Sequence, residues 1–217
     1  MIIGKFRWRI AQFFEALWWR RYLRGKSQSE YLTWKKDYWR QFLADLNFHL
    51  SPDERILDAG CGPAGIFTIL SNASIDAMDP LLDTYQNNLV QFAPEDYPNA
   101  HFYAQKLEDF YPEHVYDTVF CLNALNHVDK LPAALDRLAA LVKPGARLVL
   151  SIDAHQYPFL QRIFHLFPGD ILHPHQYDLA AYETMVCTRG FSIQQKQMLK
   201  KDLIFAYWAL VFQKNTA

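Results

Sequence analysis

Ile56-Leu57-Asp58-Ala59-Gly60-Cys61-Gly62-Pro63-Ala64-Gly65 decides the fold of this 217-residue chain. An apolar strand ends in a carboxylate, and a glycine-rich turn then leads into an apolar segment of helical character. Gly60, Gly62 and Gly65 fit Gly-x-Gly-x-x-Gly, and Asp79 follows Gly60 at the spacing of about 20 residues expected for an acid that grips a ribose. Glycine lets the backbone approach a ligand with no Cβ in the way, and a carboxylate's two oxygens suit a vicinal diol. The turn alone leaves a nicotinamide or flavin dinucleotide and S-adenosylmethionine (SAM) both open.

Working outward, the chain alternates. Arg55–Ala59 reads as a strand, Gly65–Ser71 as a helix, and Ser74–Met78 as a strand ending at Asp79. A helix over Leu81–Phe92, strands over Ala100–Lys106 and Val115–Leu122, and a helix over Leu131–Val142 follow. Lys143-Pro144-Gly145 stops that helix and turns the chain into a strand at Arg147–Ile152. Such alternation means right-handed crossovers and a parallel sheet. The pattern breaks after Asp153: residues 154–176, rich in His, Pro and Phe, read as an irregular insertion. A helix near Leu179–Thr188 precedes two strands, Ser192–Leu199 and Leu203–Gln213, joined only by Lys200-Lys201-Asp202. So short a link demands an antiparallel pair.

Upstream, two helices form an appendage over residues 1–50, leaving residues 51–217 as the α/β body. Phe6, Ile10, Phe13 and Leu17 mark one apolar stripe, widened by Phe14 and Trp18 and expected to end near Trp19. Trp34, Tyr38, Phe42 and Leu46 mark the second, with Thr33 a candidate N-cap. Residues 1–26 carry seven Lys/Arg against one acid, Glu15, a balance of +6 on a remainder of −7. A basic arm on an acidic body suggests an anionic surface or partner for the arm and argues against nucleic acid binding by the body. Cys61, Cys121 and Cys187 form no C-x-x-C pair, which points to a reducing compartment. The longest apolar run, Ile204–Phe212, is far short of the ~20 residues of a membrane helix. With no secretory pattern evident, a cytoplasmic location is expected.

The pieces ILDAGCGPAG, AMDP, LEDF, YDTVFCLNALNHV, LVKPGARLVLS and Gly190-Phe191 with a terminal hairpin resemble, in that order, the class I SAM-dependent methyltransferases. The likeness is greatest to the small-molecule group that includes the ubiquinone and menaquinone enzymes. It covers about residues 55–213 and implies a Rossmann-like seven-stranded sheet, order 3-2-1-4-5-7-6, with the last strand antiparallel. Asp58 agrees with SAM, which carries an ammonium and a sulfonium, whereas a pyrophosphate would be repelled there. The resemblance implies a cofactor site from Asp58, Gly60, Cys61, Gly62, Asp79, Pro80, Leu107 and Asn123. One departure stands out: many relatives have Asp-Ala where this chain has Gln105-Lys106, and Lys106 cannot accept the adenine amino proton.

For chemistry, His127 follows the fourth strand, beside where a methyl group would project, and is the candidate base. Asp153, His155, His173 and His175 are candidate substrate contacts, without the further carboxylates at metal spacing that a metal site needs. The reading is therefore SAM-dependent methylation of O, N or C on a small molecule, possible for a lipid- or quinone-like acceptor. Five of the six tryptophans, Trp8, Trp18, Trp19, Trp34 and Trp39, lie in the N-terminal arm; with its arginines they suit a membrane interface through residues 1–26 as well as a cap over the pocket. A nicotinamide oxidoreductase and a non-catalytic SAM-fold binding protein are the rival classes.

Overall fold

The structure, a computed structural model, describes residues 2–70, 74–155, 175, 177–202 and 205–216, with backbone alone at 2–7 and 155. Helix α1 (Ile2–Leu23) and helix α2 (Gln28–Asp45) precede strands β1 (Arg55–Ala59) and β2 (Ser74–Met78). Then come α3 (Leu82–Asn88), β3 (Ala100–Tyr103), β4 (Tyr116–Leu122), α4 (Leu131–Leu141) and β5 (Val142–His155). The chain ends with α5 (Leu179–Cys187), β6 (Phe191–Lys201) and β7 (Phe205–Lys214).

The seven strands lie in the order β3-β2-β1-β4-β5-β7-β6. β1 to β5 pair in parallel, while β7 runs antiparallel to both β5 and β6. The expected sheet order and antiparallel finish are present. Alternation in the strands builds two cores. Ile56, Ile75, Phe120, Val149 and Val211 face a layer that holds Tyr31, Trp39, Phe42, Leu46 and Tyr85. Leu57, Val119, Cys121, Leu148 and Leu150 face the other way, toward Leu135, Leu138, Tyr182 and Val186. Residues 1–50 thus share a core with the sheet rather than stacking on it as a separate body. The register puts the ends of β1, β2, β4 and β5 at one edge, the crevice where ligands of open α/β sheets bind.

Several local expectations change. α1 runs on past Trp19 because Leu23 is buried and anchors its last turn, while Arg20 and Arg21 stay exposed where the helix dipole favours cations. Ser27, not Thr33, caps α2: its hydroxyl accepts from the Glu30 N–H at 3.1 Å, leaving Thr33 inside the helix. The segment after the glycine turn forms two 3-10 turns, Gly62–Ala64 and Ile66–Ile69, rather than one helix. Gly65 between them is extended (φ −74°, ψ −172°), which interrupts any helical ladder. β5 starts at Val142, earlier than expected, because an irregularity between Tyr116 and Thr118 absorbs Lys143-Pro144-Gly145 within the pairing. Of the expected insertion, Ala154 and His155 belong to β5, and residues 156–174 and 176 lie outside the described residues.

Candidate functional site

A cavity of about 640 Å³ opens at the strand ends, a size typical of small-molecule sites. Its floor is the glycine turn. Gly60 (φ +76°) and Gly62 (φ +58°) adopt a backbone that other residues rarely tolerate. A Cβ on Gly60 would stand 2.3 Å from the Ala124 Cβ, so this glycine also lets β1 and β4 close together. Asp79, at the end of β2, accepts from the Leu81 N–H at 2.8 Å and the Gly62 N–H at 3.1 Å, which aims its carboxylate at the turn. Burial pushes Asp79 up to about 6.

Gly60, Cys61, Gly62, Asp79, Pro80, Leu107, Asn123, His127 and Asp153 all line this one cavity. Burial, reinforced by the nearby Asp58 and Asp79, keeps the Cys61 thiol neutral by raising its pKa well above the ordinary value. Asn123 takes a left-handed backbone (φ +53°) while its N–H donates to the Ser151 carbonyl at 2.9 Å. His127 sits in a 3-10 turn, Leu125–His127, with its Nδ1 3.8 Å from the Glu15 carboxylate.

Asp58 is a correction: it lies beneath the turn rather than on the cavity wall. The N–H groups of Ile66 and Phe67 donate to it, the latter at 3.2 Å, and burial pushes it up to about 7. It braces the turn and acts on the cavity through its field. His175 is a second correction. Its side chain is not among those that line the cavity; its Nε2 donates at 2.9 Å to the carbonyl of Val128, which does line it, fastening the segment before α5 to the residue after the Leu125–His127 turn. The His155 backbone pairs with Phe205 at the end of β5, but its side chain, like all of His173, lies outside the described residues. No cluster of metal-ligating side chains occurs among the described residues.

The roof comes from the two N-terminal helices and includes Gln12, Glu15, Lys35 and Tyr38, to which the sequence reading gave no site role. From α1, Trp8, Gln12, Glu15, Trp18 and Trp19 line the cavity, and from α2, Lys35, Tyr38 and Trp39. The Trp8 indole donates to the His127 carbonyl at 3.1 Å, and the Trp39 indole to the Ala64 carbonyl at 3.0 Å, so each helix is fastened to an opposite rim. Glu15 accepts from Gln12 at 3.1 Å and from Trp19; burial, with the Asp79 charge adding to it, pushes Glu15 up to about 8. The one visible hint was that Glu15 is the sole acid in residues 1–26 and interrupts an apolar stripe. Lys106, at the departure from the family pattern, points its ammonium over the Trp8 ring at 3.5 Å and pairs with Asp129 at 3.3 Å. Tyr207, from the terminal hairpin, closes the remaining side, donating to Ser151 at 2.7 Å while accepting from Tyr38 at 3.3 Å.

The wall is rich in acceptors. Besides Asp79 and Glu15, the Gln12 Oε1 is buried with no donor among the described residues. An orphaned buried acceptor costs about 1–3 kcal/mol unless something donates to it. SAM offers a ribose diol, an adenine amine and an ammonium as donors and carries a sulfonium charge, so it fits this wall. A pyrophosphate, bringing only acceptors and negative charge, does not.

A family model described as methyltransferase domain matches residues 31–196. The ubiquinone biosynthesis O-methyltransferase of Rickettsia bellii is 28% identical over 114 residues, which cover 50% of this chain and 46% of that protein. The chain thus spans about half the length of that curated relative. Magnesium protoporphyrin IX methyltransferase from Synechocystis, solved with bound S-adenosylhomocysteine (SAH), superposes with a TM-score of 0.60 at 24% identity, covering 94% of each chain. A Burkholderia thailandensis 1,6-didemethyltoxoflavin-N1-methyltransferase does so at 0.61 and 15%, covering 94% of this chain and 89% of the other. With the family match extending from α2 to β6 over this sheet order, the chain belongs to the SAM-dependent methyltransferase domain family.

Proposed function

We propose that this protein transfers the methyl group of SAM to oxygen, nitrogen or carbon of a small molecule held beneath α1 and α2. The observation that carries this reading is the single cavity in which Asp79 and the glycine turn share walls with His127 and Asp153. SAM supplies an electrophilic methyl group, so the protein's task is to align the acceptor and exclude water. Asp79 holds the ribose diol. Trp8, Trp18, Trp19 and Trp39 roof the site with rigid apolar surface. His127, facing Glu15, would take the proton of a hydroxyl acceptor as its oxygen bonds the methyl carbon and the carbon–sulfur bond breaks to leave SAH.

Isothermal titration with SAM, SAH and NADH tests this directly. SAM and SAH bind the wild-type chain and fail to bind Asp79→Ala; tight NADH binding without SAM binding would sink the proposal.

We further assign the acceptor to a lipid- or quinone-like class, reached by a cytoplasmic protein that touches a membrane surface. Supporting this, Phe13, Leu17 and Phe14 of α1, none of them in the cavity lining, are 65%, 50% and 43% exposed, flanked by exposed Arg20, Arg21, Arg24 and Lys26. Aromatic and cationic side chains on one helix suit an anionic interface. The quinone-linked name of the Rickettsia relative points the same way. Sedimentation with anionic vesicles is the check: Phe13→Ser with Leu17→Ser lowers the bound fraction, and an unchanged fraction removes the membrane from the proposal.

A further inference from the structure

Two residues of α1 converge on one residue of the opposite rim. Trp8 and Glu15 are two helical turns apart and lie on one face of α1. Trp8 fixes the main chain of His127, its indole donating to the carbonyl at 3.1 Å. Glu15 faces the imidazole itself, with its carboxylate 3.8 Å from Nδ1. Only 22% of the His127 side chain and 20% of Glu15 meet solvent, so salt screens their interaction little. Both line the cavity.

The position of the proton on a neutral imidazole decides what the ring can do. With the proton on Nε2, and Nδ1 turned to α1, the ring has no lone pair left for an acceptor. With the proton on Nδ1, Nε2 is free to take one. A carboxylate opposite Nδ1 only accepts and so selects Nδ1–H; a carboxylic acid donates and selects the reverse. Glu15 is placed to be either. Burial, with the charge of Asp79 at the end of β2 adding to it, raises it to about 8, while Gln12 and Trp19 of its own helix donate to it. Tyr85 of α3, which feels both carboxylates, and Cys61 of the glycine turn, which feels Asp79, are kept neutral by burial. Lys106, over the Trp8 ring, is paired with Asp129 at 3.3 Å.

We propose that Glu15 is the positioning residue for His127: as a carboxylate it accepts from Nδ1–H and so presents the Nε2 lone pair to the acceptor hydroxyl. The inference rests on the reading of His127 as base and adds the residue that arms it. In the transfer step the hydroxyl proton passes to Nε2 and the oxygen's electron pair bonds the methyl carbon. The carbon–sulfur bond breaks with its pair going to sulfur, which leaves SAH. The imidazolium so formed faces a carboxylate, a charge-assisted pair. The 3.8 Å separation has to close by about 1 Å for that hydrogen bond, a tightening usual between an empty and an occupied site.

Nitrogen-15 NMR of the full chain, labelled at histidine, reads the tautomer directly, and His127→Asn identifies the resonances. In the wild type His127 is the Nδ1–H tautomer at pH 9 and shifts toward Nε2–H as pH falls through about 8 and Glu15 takes up its proton. Glu15→Ala releases the ring to Nε2–H at pH 9. Glu15→Gln, whose amide oxygen still accepts, keeps Nδ1–H and abolishes the shift with pH. A wild-type ring that is Nε2–H at pH 9, or a Glu15→Ala ring that matches the wild type, overturns the proposal. The second readout is methylation of a water-soluble catechol from SAM. Glu15→Ala lowers kcat by about 10- to 100-fold, part of the 10²- to 10⁴-fold at stake in a general base, and Glu15→Gln restores part of it. A wild-type chain that fails to bind SAH sinks the SAM reading, a result separate from a wrong tautomer. A His127→Asn variant as fast as wild type sinks the base and the role of Glu15 together.

Discussion

Replacing Glu15 by glutamine tests whether α1 seats an ionisable acid over the cavity. Burial lifts this carboxyl from the ordinary 4.5 to about 8, and Asp79 adds to the rise. The fold therefore favours the neutral acid. Its contribution to stability is complete below pH 4.5 and is lost as pH rises through about 8. One pKa unit corresponds to about 1.4 kcal/mol. A fifth of the Glu15 side chain still meets solvent, so screening reduces the full shift to about 2 kcal/mol at pH 9. For a domain of this size that is roughly 4–8 °C in Tm. The assay is thermal unfolding of wild type and Glu15→Gln from pH 5 to 9, followed by circular dichroism. The two agree within about 0.5 kcal/mol at pH 5, diverge steadily between pH 5 and about 8, and keep a constant gap beyond, the variant becoming the more stable. Asp58, at about 7, is common to both proteins and cancels in the difference, whereas Asp79, whose charge raises Glu15, enters it together with Glu15. Parallel pH profiles would refute the reasoning, because they would mean that Glu15 ionises as readily in the folded state as in the unfolded one.

Gly65→Ala puts a Cβ 2.3 Å from the Asp58 carboxylate and 2.6 Å from the Cys61 carbonyl. It lowers stability by about 1–3 kcal/mol in urea titration, and an unmoved midpoint would show that the turn can relax. Trp39→Phe leaves the buried Ala64 carbonyl without its donor. The expected loss is about 1–3 kcal/mol in the same titration, and SAH affinity falls with it as the turn loosens; no change in either removes the tie between α2 and the turn. His127→Asn slows methylation of a hydroxyl acceptor by about 10²- to 10⁴-fold while SAH affinity stays within about twofold. A variant as fast as wild type removes His127 as the base.

The elements that depend on near neighbours were legible in the sequence. β1 and β2 begin and end where the apolar runs of Arg55–Ala59 and Ser74–Met78 do, and the short link after β6 forces the antiparallel finish. The glycine turn and Asp79 meet for the same reason: β1 and β2 are adjacent parallel strands with their ends in register, Ala59 beside Met78. A boundary failed where a single cap decided it, as at Ser27.

The composition of the cavity wall was a different matter. Trp8 meets His127 across 119 positions of sequence, and Tyr38 meets Tyr207 across 169. Neither side of such a pair carries a local mark of the other. The helical stripes of α1 and α2 announced apolar faces, but not that Gln12, Glu15 and Lys35 would be turned toward a ligand rather than toward water. Asp58 and His175 show the converse: residues of suitable chemistry that packing drew into support of the turn and of α5. The sequence by itself determined the sheet, its glycine turn and the acid at the end of β2, because strand and turn preferences act over a few residues. Only the tertiary structure decided which buried charges face one another, because that depends on where α1, α2 and the terminal hairpin come to rest, and their contacts are made across most of the chain.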